Sequence, residues 1–170
     1  MFKIFILISA FVMITGCGEK EQNKQTGTVD LDSARHNIIV AITNFNVAYI
    51  KKDWEGMKKL LSGTVHMFGP DSSSIINSAA DFEKELGKQW EKYPQVKIGA
   101  PNYLYIEMDK DAELANATYQ VLLVWVENGI SYQKALRFSN TYKKEAGEWK
   151  LVHMIMQEPL NQLNGIQLRK

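Results

Sequence analysis

Few side chains in this chain are equipped for chemistry. Three histidines, His36, His66 and His153, are its groups that titrate near neutrality. None stands at an HxH or HxxxH spacing, so no metal centre is expected. His153 lies in an alternating run in which Trp149, Leu151, His153, Ile155 and Gln157 share one face. Lys150, Val152, Met154 and Met156 share the other, and Lys150 marks that one as starting at solvent. His153 is therefore expected on the face that helices cover. A histidine there is either a general base or a core residue satisfied by one hydrogen bond. His66, in a short apolar run, is the second candidate base, and nothing in the spacing decides whether the two rings meet. The carboxylates are explained locally. Asp53 suits a helix cap, Asp71 a turn after Gly69-Pro70, and Glu107 and Glu113 flank a turn. No carboxylate stands alone in an apolar strand face, where burial would raise its pKa. No glycine-rich phosphate loop and no Gly-x-Ser-x-Gly elbow occur. Trp54, Phe68, Tyr105, Tyr119 and Trp125 either line a ligand cavity or fill a core.

The elements that must position these groups follow from periodicity. From a cap at Asp32 or Ser33, Ile38, Ala41, Ile42, Phe45, Ala48 and Tyr49 recur at helical spacing. Asp53 opens a second, short helix with Trp54, Met57, Leu60 and Leu61 inward, stopped by Gly63. Val65–Phe68 reads as a strand closed by Gly69-Pro70-Asp71. Ser78-Ala-Ala-Asp81 is a capping-box variant, and Phe82, Leu86, Trp90 and Tyr93 form a third helical stripe ending at Pro94. Beyond it come strands over Tyr103–Met108, Ala112–Glu127, Tyr132–Lys144 and Trp149–Gln157. Asn128-Gly129 between two of them is a type I′ hairpin signal. Helices early and strands late predict an α+β domain, its helices on one face of a curved antiparallel sheet.

Two parts of the sequence carry membership signals. At the start, Lys3 precedes an apolar run from Ile4 to Ile14, too short to span a bilayer and of signal-peptide length. Ile14-Thr15-Gly16-Cys17 resembles the lipobox of bacterial lipoproteins. That resemblance implies cleavage before Cys17 and acylation of its thiol, with residues 1–16 a signal peptide and 17–31 a lipidated tether. Gly18–Thr28 holds no large apolar residue and should not pack. Cys17 is the chain's one cysteine, which excludes an intrachain disulfide. With Lys3 removed, basic and acidic residues balance at 19 each, so no basic field exists to attract nucleic acid. With 45% hydrophobic and 23% charged residues the remainder has a globular balance and one domain's length.

The second signal lies in the folded part. Tyr49-Ile-Lys-Lys-Asp53-Trp-Glu-Gly-Met57-Lys-Lys-Leu-Leu61 resembles the opening of SnoaL-like domains, of the nuclear-transport-factor-2-like superfamily. His66-Met-Phe-Gly-Pro-Asp71 is similar to that family's first strand and turn. Arg137-Phe-Ser-Asn-Thr-Tyr-Lys-Lys-Glu-Ala-Gly-Glu-Trp149-Lys-Leu-Val-His153 is similar to its penultimate strand, glycine turn and closing strand. Ile155 and Gln157 stand where many members have a second histidine and a serine, and Asn77-Ser78 where a glycine is usual.

The resemblance spans residues 32–159, with 160–170 left as a polar tail. It implies a cone-shaped sheet able to hold an apolar ligand. The expected function is a membrane-anchored, extracytoplasmic domain, at an outer membrane or cell surface, that binds a small apolar ligand or a partner protein. The binding residues would be Trp54, Phe68, Tyr105, Tyr119, Trp125 and His153, with no cofactor. The alternatives are an isomerase, cyclase or hydro-lyase using a pocket histidine without metal, and a structural or interaction protein of the envelope. One more pattern bears on partners. Val121, Leu123 and Trp125 alternate with Leu122, Val124 and Val126, and Met154 and Met156 repeat the motif, so both sheet faces look apolar. A homodimer through the outer sheet face is the expected cover; the alternative is the C-terminal tail.

Overall fold

The computed structural model describes residues 29–71, 74–159 and 166–167. The expected signal peptide, Cys17 and most of the tether lie outside these residues, as does most of the tail. Two helices open the fold. Helix α1 (Leu31–Lys51) is capped by Asp30, whose carboxylate accepts from the backbone N–H groups of Asp32 and Ser33 at 3.1 and 3.0 Å. The cap therefore precedes the expected Asp32 or Ser33, because Asp30 reaches both of their N–H groups. Ile38, Ala41, Ile42 and Ala48 face the core. Lys52, in a left-handed conformation, ends α1, and Asp53 caps α2 (Trp54–Lys58) through the Gly56 N–H at 2.9 Å. A Cβ at position 56 would lie 2.3 Å from that carboxylate, which is why glycine stands there.

Gly63 does not stop α2. Leu61 and Ser62 are already extended, and strand β1 runs Leu61–Phe68 with an irregularity between Leu61 and His66 that accommodates the glycine. Strand β2 (Ile75–Ile76) folds back on it. Helix α3 (Ala79–Lys92) starts at Ser78, whose hydroxyl accepts from the Asp81 N–H at 3.1 Å and donates to its carboxylate at 2.8 Å. Phe82 and Leu86 bury its inner stripe. Strands β3 (Val96–Ile98), β4 (Asn102–Met108), β5 (Leu114–Glu127), β6 (Ile130–Glu145), β7 (Glu148–Gln157) and β8 (Ile166–Gln167) follow.

The spine of the sheet is the β5–β6 hairpin, paired from Leu114↔Lys143 to Glu127↔Ile130. Its turn is Asn128-Gly129, with φ of 51° and 77°, the positive values a type I′ turn requires. The path across the sheet is β2-β1-β7-β6-β5-β3. β3 and β4 pair with successive stretches of one edge of β5, separated by Gly99-Ala100-Pro101. β7 and β8 likewise share the far edge of β6, so residues 166–167 of the expected tail join the sheet. All junctions are antiparallel except β1–β7, which is parallel, since the chain returns to β1 only after the whole hairpin series. The three helices cover the concave face. Phe45 of α1 stacks on Phe82 of α3 at 6.1 Å, and Trp54 meets Phe82 edge-on at 6.2 Å. The result is the expected α+β cone. Its core includes Ile38, Ile42, Met57, Val65, Leu86, Val121 and Leu151, all at most 1% exposed.

Candidate functional site

Strand alternation decides which side chains can reach the interior. On β5, Ala115, Ala117, Tyr119, Val121, Leu123 and Trp125 point inward and are buried, while Leu114, Asn116, Thr118 and Leu122 are exposed. On β6 the inward set at the wide end is Tyr132, Lys134, Leu136 and Phe138, register partners of the inward β5 residues or of their diagonal neighbours. On β7 the pairing slips. Leu151 pairs with Tyr142, but His153 pairs with Thr141, so Val152 is an extra residue opposite none. Such a bulge reverses the facing of everything after it. Trp149 and Leu151 point inward before it, and Met154 and Met156 after it.

Between the concave face and the helices lies a half-open cavity of about 490 Å³. Phe45 and Tyr49 come from α1, Phe82, Leu86 and Gln89 from α3, and Met67 and Ile76 from β1 and β2. Val121, Leu123, Leu136, Phe138, Met154 and Met156 form the sheet wall. This is a mainly apolar lining of small-molecule size. Tyr49 donates its hydroxyl proton to Gln89 Oε1 at 3.2 Å. Burial, and next the neighbouring Tyr93, push its phenol up to about 12, so it stays a neutral donor.

One charge pair stands in the cavity wall. Lys134 of β6 bonds Glu158, which follows the end of β7, and their side chains are 11% and 13% exposed. The ammonium also lies 5.9 Å from the Tyr93 ring and 5.7 Å from the Trp125 ring, within cation–π reach of both. Tyr93 meets the Trp125 ring edge-on and Tyr132 stacks on it, each at 5.5 Å. The indole N–H of Trp125 is buried without an acceptor among the described residues.

A second buried polar cluster adjoins the cavity. Asn140, 2% exposed, donates through Nδ2 to the hydroxyls of Tyr119 and Tyr142 at 3.0 and 3.1 Å. Burial raises the Tyr119 phenol well above its ordinary value and pushes Tyr142 to about 12. Phe138, a cavity residue, stacks on Tyr119 at 5.1 Å and separates the cluster from the open space.

The candidate residues read from sequence are scattered by this geometry. His153 and His66 come together, with parallel rings 5.7 Å apart, because β1 and β7 pair at those two residues. They lie on the convex face, not inside, since the Val152 bulge turns His153 outward with Ile155. His36 is exposed on α1, so none of the three histidines lines the cavity. Phe68 touches the cavity rim and leans on His66 at 4.7 Å. Tyr105 is 63% exposed and shares the convex side of Thr118, its partner on β5. Tyr119 and Trp125 are inward but form core beside the cavity, and Trp54 packs between helices. The bulge also removes Met154 and Met156 from the expected outer patch and places them in the cavity. Sequence reasoning missed Lys134 and Glu158. The available signal was parity: Lys134 falls in step with Leu136 and Phe138 on a face otherwise apolar. Among the described residues no group of three or more His, Cys, Asp or Glu is placed to hold a metal ion.

Known structures share this architecture. Hexachlorocyclohexane dehydrochlorinase LinA-type3 from Novosphingobium barchaimii is 15% identical, superposing at a TM-score of 0.69 over 82% of this chain and 94% of that one. A nuclear transport factor 2-like superfamily protein from Salmonella enterica is 17% identical, at a TM-score of 0.67 over 76% and 93%. An NTF2-like protein of unknown function from Pseudomonas putida is 13% identical, at 0.67 over 84% and 96%. Likeness at these identities speaks for the fold alone. Among curated proteins none matches. The SnoaL-like domain family matches residues 38–156, from the first buried isoleucine of α1 to the second cavity methionine of β7, and the chain belongs to that family.

Proposed function

We propose that this is a lipid-anchored, extracytoplasmic binding domain whose cone holds a small apolar or amphipathic molecule. The observation that carries the reading is the cavity of about 490 Å³, walled by aromatic, leucine and methionine side chains and left unfilled by them. A scaffold would fill that space with its own side chains. An isomerase or hydro-lyase working through a pocket histidine finds no support, because all three histidines lie outside the cavity. Anchoring rests on the Ile14–Cys17 motif and the apolar run before it. A homodimer through the convex face rests on Leu122 and Val126 of β5, 39% and 40% exposed, and on Tyr105 of β4, 63% exposed on the same face.

The test of binding is native mass spectrometry of the intact protein taken from envelope membranes. An apolar molecule should stay bound to the wild type and be lost from Met156→Trp, which fills the cavity. Retention by a correctly folded Met156→Trp protein would overturn the reading. Labelled palmitate should enter the wild type and not Cys17→Ser. Light scattering should give a dimer for the wild type and a monomer for Leu122→Arg.

A further inference from the structure

We infer that the molecule held in the cone ends in a carboxylate, and that its head takes the place of Glu158 on the Lys134 ammonium. This deepens the binding reading above and rests on it. Lys134 sits mid-strand, hydrogen-bonded into the sheet opposite Leu123, so its ammonium is held at the cavity wall. Glu158 comes from irregular backbone past the last residue of β7. The cation is thus part of the sheet frame, and its counter-charge lies just past the end of β7, outside the ladder.

Glu158 is the acceptor that the structure gives the Lys134 ammonium. Beside Lys134, the indole ring of Trp125 carries a buried N–H without an acceptor among the described residues. Lys92 lies 5.3 Å from the centre of the Tyr93 ring that Lys134 also approaches, and makes no ion pair among the described residues. Two ammonium groups thus approach the Tyr93 ring, and the Lys134 one, bonded to Glu158, also approaches Trp125.

A buried ammonium cannot stand without counter-charge. A neutral guest must leave the Lys134–Glu158 pair closed, and a cationic guest at this wall meets the Lys134 ammonium, with Asp71 and Glu85 also in the cavity lining. An apolar guest with a carboxylate brings the replacement with it, and its body fits the leucine, methionine and phenylalanine walls beyond.

The experiment compares sodium octanoate with 1-octanol, the same chain length with and without the charge, binding to the full chain by calorimetry. Wild type should bind octanoate about tenfold or more tightly than octanol, the scale of a charge-assisted hydrogen bond. Lys134→Met should lose that preference and keep its octanol affinity. Glu158→Gln, which removes the competing anion, should bind octanoate more tightly than wild type. Equal affinity for the two in wild type, or weaker octanoate binding by Glu158→Gln, overturns the carboxylate inference while leaving the apolar cavity reading intact. Binding of neither compound overturns both. If Lys134→Met does not fold, the Glu158→Gln comparison decides alone.

Discussion

The concave face of the sheet carries Leu136, Phe138, Met154 and Met156 over a half-open cavity, with Lys134 and Glu158 closing a charge pair at its wall. One residue along the same strands, the convex face carries His66, His153, Ile155, Thr141 and Leu122 toward solvent. The strands, their hydrogen bonds and their twist are common to both, so chemistry is distributed between the faces by parity alone. Titratable imidazoles went to the open side. The phenols of Tyr119 and Tyr142 and the Lys134 ammonium went to the concave side, where burial holds the phenols neutral and the ammonium needs a partner. The lesson is that a single extra residue, Val152, assigns the candidate base of the last strand to the wrong side for pocket catalysis.

The strongest way to break that contrast is Met154→Ala, which should cost about 3 kcal/mol in urea unfolding, since its side chain is buried in the wall. Its neighbour Ile155→Ala, half-buried on the other face, should cost clearly less.

The phenols sharpen the comparison from the concave side. Tyr49 and Tyr142 are each pushed to about 12, from an ordinary value of 10.0. The unfolded chain therefore releases its phenol protons first as pH rises. This contribution is intact below pH 10 and is lost as pH climbs toward 12, by about 2 kcal/mol for each phenol. Tyr142→Phe should flatten the alkaline limb of a stability–pH curve, at a neutral-pH cost of about 1 kcal/mol for its hydrogen bond to Asn140. An unchanged limb in that variant would show that Tyr142 is not buried as described. The smallest effect belongs to the convex face. His153→Ala should shift stability by no more than about 0.5 kcal/mol and leave ligand retention unchanged. Loss of retention in that variant would move the site to the other side of the sheet.

Much of the fold is legible in the residues because the forces that set it act over a few positions. The helical stripe from Ile38 to Tyr49, the Ser78–Asp81 box, and the Asn128-Gly129 and Ala146-Gly147 turns each satisfy their backbone locally. Strands β2 and β3, two and three residues long, offer no period to read and exist only by pairing with β1 and β5. The site was less legible. Alternation predicts a face only while every residue is counted, and the bulge at Val152 is one that alternation does not count. Trp54, Tyr119 and Trp125, expected as binding residues, are absent from the cavity lining and pack in or against the core.

Sequence alone located the three helices and the long strands, where the long hairpin turns, and which family the chain resembles, because caps, turns and periodicity are contacts between near neighbours. Tertiary structure alone decided that β1 lies parallel to β7, that His66 stacks on His153 outside the cone, and that Lys134 meets Glu158 across 24 positions. Those outcomes depend on register between distant strands, and register is a property of the assembled sheet that no short stretch of chain carries.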